Sequence, residues 1–230
     1  MTSRKGIPVE SRRTQQGCVL RCVPLRSHRA RSAGERSRTA GGEAVGLGYV
    51  LLGKVAALAG EVPVALGSGQ QRQLLAVLLV EANRAVPVEL LIQRIWDGRP
   101  PRRPRSGLHA YVTRVRSGLR AMSEATGTEI RLERRVDGYL LRVDPLLVDL
   151  HRFTAEVDGV ADAAGDLAVV DGLGRALDLW QGIPLADLPG SWARSTREAV
   201  LVRLTEALGR WGHACLRLGR WHEVTERLAR

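Results

Sequence analysis

An arginine-rich segment, residues 99–120, constrains the fold of this chain more than any other feature. It contains seven arginines and no acidic residue. If the segment winds as an α-helix, its apolar residues fall within an arc of about 100° on one side. They are Leu108, Tyr111, Val112, Val115, Leu119 and, just beyond the segment, Met122. The spacing therefore predicts an amphipathic helix that packs one side against a hydrophobic core.

A second side of the same predicted helix is polar and spans an arc of about 80°. Its residues are Arg102, Arg105, His109, Thr113, Arg116 and Arg120. All except Thr113 offer a cation or an imidazole, groups that donate to phosphates or to base edges. The segment is therefore a candidate for reading nucleic acid, although an arginine-rich helix can also be a solvated basic surface.

The net charge of +11 is unevenly spread along the 230 residues. Residues 1–45 carry ten basic and three acidic side chains, whereas residues 145–230 carry ten basic and twelve acidic ones. Localised positive charge favours a polyanionic partner, and we expect nucleic acid rather than a membrane. No stretch approaches the roughly 20 apolar residues of a membrane span, and no secretion signal is evident, so a cytoplasmic protein is expected.

The order of predicted elements indicates an α+β fold. Residues 1–45 lack apolar periodicity and are expected to be a disordered basic tail. An N-terminal β-hairpin (49–58 with 62–66), helices at 70–82 and 88–96, a basic helix starting near 102–105 and a second hairpin (130–133 with 139–143) follow. Three helices followed by a two-stranded wing predict a winged-helix domain over residues 46–144.

The remainder, residues 145–230, is predicted to be an all-α, helical-repeat-like domain. Helical patterns cover 149–163, 167–180, 192–218 and 221–230, and glycines or prolines separate them. Within the third of these, Gly209 and Gly212 would each cost about 1 kcal/mol relative to alanine, so the alternative to one continuous helix is a break nearby.

No catalytic, cofactor or metal site is predicted. Cys18, Cys22 and Cys215 are odd in number and are expected to be free thiols, and Cys18 and Cys22 with His28 lack a fourth zinc ligand. Residues 48–54 match the spacing of a phosphate-binding loop, but Val55 replaces the hydroxyl residue that would bind magnesium. We therefore expect neither an enzyme nor a small-molecule substrate.

Nine short motifs, in order, resemble those of the SARP/AfsR-like bacterial transcriptional activators, from residue 49 to the last residue. They are Leu51-Leu52-Gly53, Gln71-Arg72-Gln73-Leu74-Leu75, Ala82-Asn83-Arg84, Leu90-Leu91-Ile92, Ile95-Trp96-Asp97, Pro100-Pro101, Tyr111-Val112-Thr113-Arg114-Val115-Arg116, Gly138-Tyr139-Leu140-Leu141 and Asp149-Leu150-His151-Arg152-Phe153. No motif is specific alone, but the ordered combination is.

The resemblance implies an OmpR-type winged-helix domain followed by a bacterial transcriptional activation domain. Such proteins bind direct repeats in promoter DNA, self-associate there, contact RNA polymerase and switch on antibiotic gene clusters. The recognition helix maps to residues 102–120 and the wing to 131–142. Base edges are assigned to Arg105, His109, Thr113 and Arg116, and phosphates to Arg102, Arg120, Arg134 and Arg135.

The chain also departs from the family pattern. Gly107 and Gly118 stand inside the recognition helix, at about 1 kcal/mol each, and Pro87 replaces a common hydroxyl cap. The family's activation domain continues through further helices, so the resemblance predicts a shortened domain here. The alternative function is therefore a truncated or defective regulator that acts only as a DNA-binding anchor or a protein-interaction scaffold.

Overall fold

The structure, a computed structural model, describes residues 47–60, 62–160 and 165–229. The basic tail expected at 1–45, with Cys18, Cys22 and His28, lies outside the described residues. The strands are β1 (Leu47–Val50), β2 (Ala56–Ala59), β3 (Val62–Val64), β4 (Ala85–Pro87), β5 (Arg131–Arg134) and β6 (Gly138–Arg142). The α-helices are α1 (Gly69–Val80), α2 (Val88–Trp96), α3 (Pro104–Thr126), α4 (Asp149–Gly159), α5 (Asp166–Asp178), α6 (Ser191–Arg217) and α7 (Trp221–Leu228).

The first sheet is a three-stranded antiparallel meander in the order β1-β2-β3. The prediction of a two-stranded N-terminal hairpin with one strand over residues 49–58 was wrong, because the chain turns between β1 and β2. Leu51 and Leu52 at this turn give their N–H groups to the carboxylate of Asp149. Their carbonyls accept from the N–H groups of Leu185 and Gln181. These backbone groups are thus used by the helical half instead of a strand ladder.

Helices α1, α2 and α3 follow the predicted pattern closely. Helix α1 is central, and residues 74–80 are all buried. Helix α2 has the predicted bounds, with Leu91 and Ile95 buried, and ends at Asp97 in the left-handed region (φ +48°). Helix α3 begins with Pro104, a position that suits proline because the first N–H of a helix has no partner within the helix.

The second sheet is three-stranded, in the order β4-β6-β5. The predicted hairpin is present as β5 and β6, and β4, which the sequence analysis missed, pairs with β6 in the register Pro87 to Gly138. A Cβ at Gly138 would lie 2.0 Å from the carbonyl oxygen of Val86. The glycine is therefore required for β4 to approach the hairpin.

The helical half contains α4 to α7, after a 3₁₀ turn at Pro145–Leu147. Helix α6 runs unbroken for 27 residues through Gly209 and Gly212, so the alternative of a break near them is wrong. Buried residues on both sides of these glycines, Ala207 and Trp211 among them, hold the helix against its neighbours. No helix among the described residues combines the length and apolarity needed to cross a membrane.

The two halves share one continuous hydrophobic core. At their junction, Asp149 accepts hydrogen bonds from the N–H groups of Leu51, Leu52 and Leu150 at 2.7–2.9 Å. Burial raises the pKa of the Asp149 carboxyl to about 6, although the hydrogen bonds from these three N–H groups act to lower it. Nearby, the Nε2 of His151 lies 2.8 Å from the carbonyl oxygen of Leu79, which joins α4 to α1. A domain boundary near residue 145 stays a prediction.

Candidate nucleic-acid interface

Helix α3 buries the predicted apolar side. Five of the six predicted residues are buried, with exposed fractions of 8% or less: Leu108, Val112, Val115, Leu119 and Met122. The sixth, Tyr111, is half-buried and packs on Trp96 of α2, with ring centroids 5.8 Å apart. Gly107 also faces Trp96, whose ring would be 3.4 Å from an added Cβ. The helix is thus packed against α1, α2 and β5, and its polar side is open.

The side chains predicted to read nucleic acid are all exposed. Arg105, His109, Thr113, Arg116 and Arg120 lie along α3, as the spacing predicts. Arg102 precedes the helix, which begins at Pro104, so its predicted place on the helical wheel does not hold. The predicted start of the helix between residues 102 and 105 is confirmed.

The outward side of α3 has small residues in its middle. At about 100° per residue, Ser106, Ala110 and Ser117 point away from the buried stripe, and all three are exposed. Arg105 and Arg116 lie on one flank of these small residues, whereas Arg114 lies on the other, and the exposed Arg103 directly precedes the helix. Arg103 and Arg114 are not among the residues that the spacing predicts to contact nucleic acid. A polar arc centred opposite the apolar stripe would have included both of them.

Several of these side chains have partners within the protein. Arg105 forms an exposed ion pair with Glu89 of α2 at 2.6 Å, and Arg120 lies 3.7 Å from Glu124. The Thr113 hydroxyl donates to the His109 carbonyl. By contrast, the side chains of Arg102, Arg103 and Arg114 make no hydrogen bond or ion pair with the described part of the chain. The face therefore contains both restrained and unrestrained cations.

Arg116 joins helix α3 to the hairpin. Its Nε donates to the carbonyl oxygen of Leu132 on β5 at 3.0 Å, while the residue stays exposed. The other end of the hairpin is also held, because the Asp137 carbonyl accepts from the N–H of Val88 at the start of α2. Helix and hairpin consequently present their basic side chains as one fixed arrangement.

The hairpin carries its own cations. The guanidinium of Arg134 lies 5.9 Å from the ring centroid of Tyr139, a cation–π distance. Glu133 accepts from both Arg135 at 2.5 Å and Arg142 at 2.8 Å. Val136 at the tip is 95% exposed. The tip thus offers two oriented guanidinium groups beside an apolar side chain.

Acidic residues orient part of this basic surface without covering it. Hydrogen bonding from Arg105 holds the pKa of the Glu89 carboxyl below its usual range, so Glu89 is ionised at neutral pH. Exposed ion pairs contribute little to stability, because both ions are well hydrated when separated. A phosphate can therefore replace Glu89 as the partner of Arg105. Among the described residues, no cluster of His, Cys, Asp or Glu side chains is suited to a metal ion.

Comparison with known proteins finds similarity to bacterial transcriptional regulators. Residues 148–230 match the family model described as the bacterial transcriptional activator domain. Transcriptional regulatory protein EmbR of Mycobacterium tuberculosis is 37% identical over 147 residues, which are 62% of this chain and 37% of EmbR. Regulatory protein AfsR of Streptomyces coelicolor is 36% identical over 170 residues, 71% of this chain and 16% of AfsR. Transcriptional regulator RedD of the same species is 36% identical over 124 residues, 52% and 35% of the two chains.

The fold is also similar to a solved structure, Mycobacterium tuberculosis EmbR in complex with a low affinity phosphopeptide. The TM-score is 0.71 at 31% identity, and the match covers 80% of this chain and 49% of that one. The chain therefore spans less than half the length of these relatives.

Proposed function

Because this chain belongs to the SARP/AfsR-like family of bacterial transcriptional regulators, we propose that it binds double-stranded promoter DNA sequence-specifically and activates transcription. In this proposal, residues 46–144 are an OmpR-type winged-helix domain and residues 145–230 are a bacterial transcriptional activation domain. The protein acts in the cytoplasm, where bacterial DNA lies.

The observation that carries the proposal is the division of α3 into a buried apolar side and an open basic side. A helix fits the major groove of B-DNA, where each base pair displays a distinct set of donors and acceptors. Small residues, such as Ala110 and Ser117, let the backbone of α3 approach the base edges closely. Arginines beside these small residues then reach base edges and the phosphates on the walls of the groove.

Individual roles follow from position. Arg105, His109, Thr113 and Arg116 lie towards the base edges, and Arg102 and Arg120 lie beside phosphates. Arg114 joins the phosphate-binding set because it is exposed on the opposite flank, and Arg103 joins it because it is exposed at the start of the helix. In the wing, Arg134 and Arg135 contact the backbone or the minor groove, as the fixed position of the hairpin beside α3 favours.

The helical half supplies the activating function in this proposal. It contacts RNA polymerase, and neighbouring copies self-associate on direct repeats in the promoter. The regulated genes belong to a secondary-metabolite cluster of the antibiotic type. These features are supported by family membership and by the match of residues 148–230 to an activator domain.

Selection from a random-sequence duplex library with the full chain tests DNA recognition. We expect enrichment of a short motif, often as two copies in the same orientation, and binding that weakens steeply with salt as counterions are released. Recovery of unenriched sequences only would contradict sequence-specific recognition.

Transcription in vitro from the selected sites tests activation. We expect bacterial RNA polymerase to produce more transcript when the full chain is bound and to co-purify with the chain. Tight, specific DNA binding without any rise in transcription would favour the second candidate function, a DNA-bound scaffold. Exposed apolar side chains in the helical half, Val202, Trp221 and Leu228 among them, favour that candidate.

A further inference from the structure

The loop that connects α2 to α3 is fixed from outside the three-helix unit. This loop, residues 97–103, leads directly into the basic helix. Its first residue, Asp97, accepts hydrogen bonds from the N–H of Ser191 at 2.9 Å and from the Ser191 hydroxyl. Ser191 is the first residue of α6, whose preceding residue Gly190 has no capping side chain. Asp97 therefore caps a helix that begins 94 residues further along the chain.

The contact requires unusual backbone geometry on both sides. Asp97 adopts a left-handed conformation (φ +48°), which is uncommon for a residue with a side chain. Gly190 has φ +95°, and an added Cβ would lie 3.3 Å from the carboxyl carbon of Asp97. Hydrogen bonding from Ser191 also lowers the pKa of the Asp97 carboxyl. The carboxylate is thus ionised at neutral pH and is held against the start of α6.

Neighbouring contacts tie the same two regions together. The Gln73 side-chain amide of α1 donates to the carbonyl of Arg94 at 3.1 Å and to that of Pro189 at 3.5 Å. The guanidinium of Arg94 lies 5.8 Å from the ring centroid of Trp192. Helix α2 is therefore fastened at its C-terminal end to the start of α6.

The contacts at the end of α2 extend to the basic helix α3. Trp96 directly precedes Asp97, packs on Tyr111, and lies beside Gly107 in the first turn of α3, where an added Cβ would be 3.4 Å from the Trp96 ring. We infer that Asp97 is a positioning residue for DNA binding: by holding the start of α6, it fixes the end of α2 and, through Trp96, the first turns of α3. This inference rests on the proposed function. It makes DNA affinity depend on the contact between Asp97 and Ser191 of the helical half.

Asp97→Gly tests the inference with little disturbance of the loop, because glycine adopts left-handed backbone without strain. Removal of a negative charge beside a basic surface would by itself strengthen DNA binding. We expect the opposite, a loss of about fivefold to tenfold in affinity for the library-selected duplex, at the weak end of couplings between sites. Asp97→Asn, which keeps an acceptor oxygen and tolerates the same backbone, should restore most of the affinity.

Ser191→Pro attacks the contact from the other side. Proline suits the first position of a helix and removes both donors to Asp97 while α6 keeps its own bonds. We expect the same loss as for Asp97→Gly, and no further loss in the double variant, because both changes break one contact. Thermal unfolding of each variant checks that the fold persists. Hydrogen exchange should quicken at the hydrogen-bonded amides of residues 107–111 in α3 and stay unchanged near Met122.

The outcomes separate the two levels of the proposal. If the unmodified chain selects no DNA sequence, the proposed function and this inference fall together. If the unmodified chain binds its selected duplex and Asp97→Gly and Ser191→Pro bind it equally well or better, the positioning role is overturned while DNA binding stands. Unchanged hydrogen exchange in the first turns of α3 would also overturn it.

Discussion

Helices α3 and α6 are the two longest helices among the described residues, at 23 and 27 residues, and both are rich in arginine. In α6, Arg197 donates to backbone carbonyls, Arg203 pairs with Asp158, and Arg217 pairs with Asp166. In α3, the Arg114 side chain makes no such contact with the described residues, and Arg105 and Arg120 pair only with exposed carboxylates. The same residue type therefore stabilises the fold in one helix and stays available to a partner in the other.

The reason for the difference lies in what surrounds each helix. Helix α6 packs along α5, and carboxylates of α5 and of the end of α4 lie within reach of its arginines. Helix α3 has acidic neighbours at only a few points, such as Glu89 and Glu124. Arginine count alone consequently says little about function. The distribution of carboxylates and carbonyls around the arginines says more.

The largest effect is expected from Arg197→Ala in α6. The guanidinium of Arg197 donates to the carbonyls of Pro184 and Leu185, both at 2.9 Å, in a half-buried loop. Loss of these charge-assisted bonds should lower the free energy of unfolding by about 3 kcal/mol. Urea denaturation measures this change. Arg114→Ala is the matched control in α3 and should change stability by less than about 0.5 kcal/mol. Equal losses of unfolding free energy in Arg197→Ala and Arg114→Ala would contradict the difference between the arginines of α6 and those of α3.

The next effect is on DNA affinity. Arg116→Ala should weaken binding to the selected duplex by about 1–3 kcal/mol and relax the preference at one base pair, because this side chain is assigned to a base edge. Arg134→Ala should weaken binding to all sequences alike and reduce the dependence on salt. Fluorescence anisotropy with matched and mismatched duplexes measures both. Unchanged affinity in both variants would contradict the docking proposed for α3 and the wing.

A smaller effect is expected from Glu89→Gln. The substitution releases Arg105 and removes a negative charge that faces the incoming phosphates. DNA affinity at low salt should rise about twofold to fivefold, and the gain should shrink as salt screens the charge. Glu226→Gln on α7 makes the same charge change outside the proposed interface and should have no such effect. A gain of similar size in the control would indicate a general charge effect.

The smallest effect concerns acid titration in the helical half. Hydrogen bonding from Arg217 lowers the pKa of the Asp166 carboxyl, so the pair stabilises the fold above the unfolded-state pKa and loses this contribution as pH falls through the folded-state value. In Arg217→Gln, the Asp166 pKa should rise towards its ordinary value, as NMR titration of the carboxyl carbon would record. Arg114→Gln should leave it unchanged. If the pKa of Asp166 is the same in Arg217→Gln as in the unmodified chain, Arg217 does not stabilise the Asp166 carboxylate. Arg217 would then no longer be an example of an α6 arginine that stabilises the fold.

Local sequence patterns predicted most helices well. The bounds of α2 follow from Pro87 at its start and Gly98 after its end, and the buried stripe of α3 follows from its three-to-four-residue spacing. Strand β4 escaped prediction because three residues are too few to show a period. The turn between β1 and β2 escaped because residues from the helical half, Asp149 and Leu185 among them, satisfy its backbone groups.

The sequence by itself determined the amphipathic basic helix, the hairpin that follows it and the change to an all-helical second half, because periodicity and turn residues act over short distances. Only the tertiary structure decided which arginines are paired, which are open, and that Asp97 caps a helix from the other half. Those outcomes depend on contacts between residues tens of positions apart, such as Arg217 with Asp166 and Asp97 with Ser191. No local pattern encodes such contacts, because they arise when separate elements pack together.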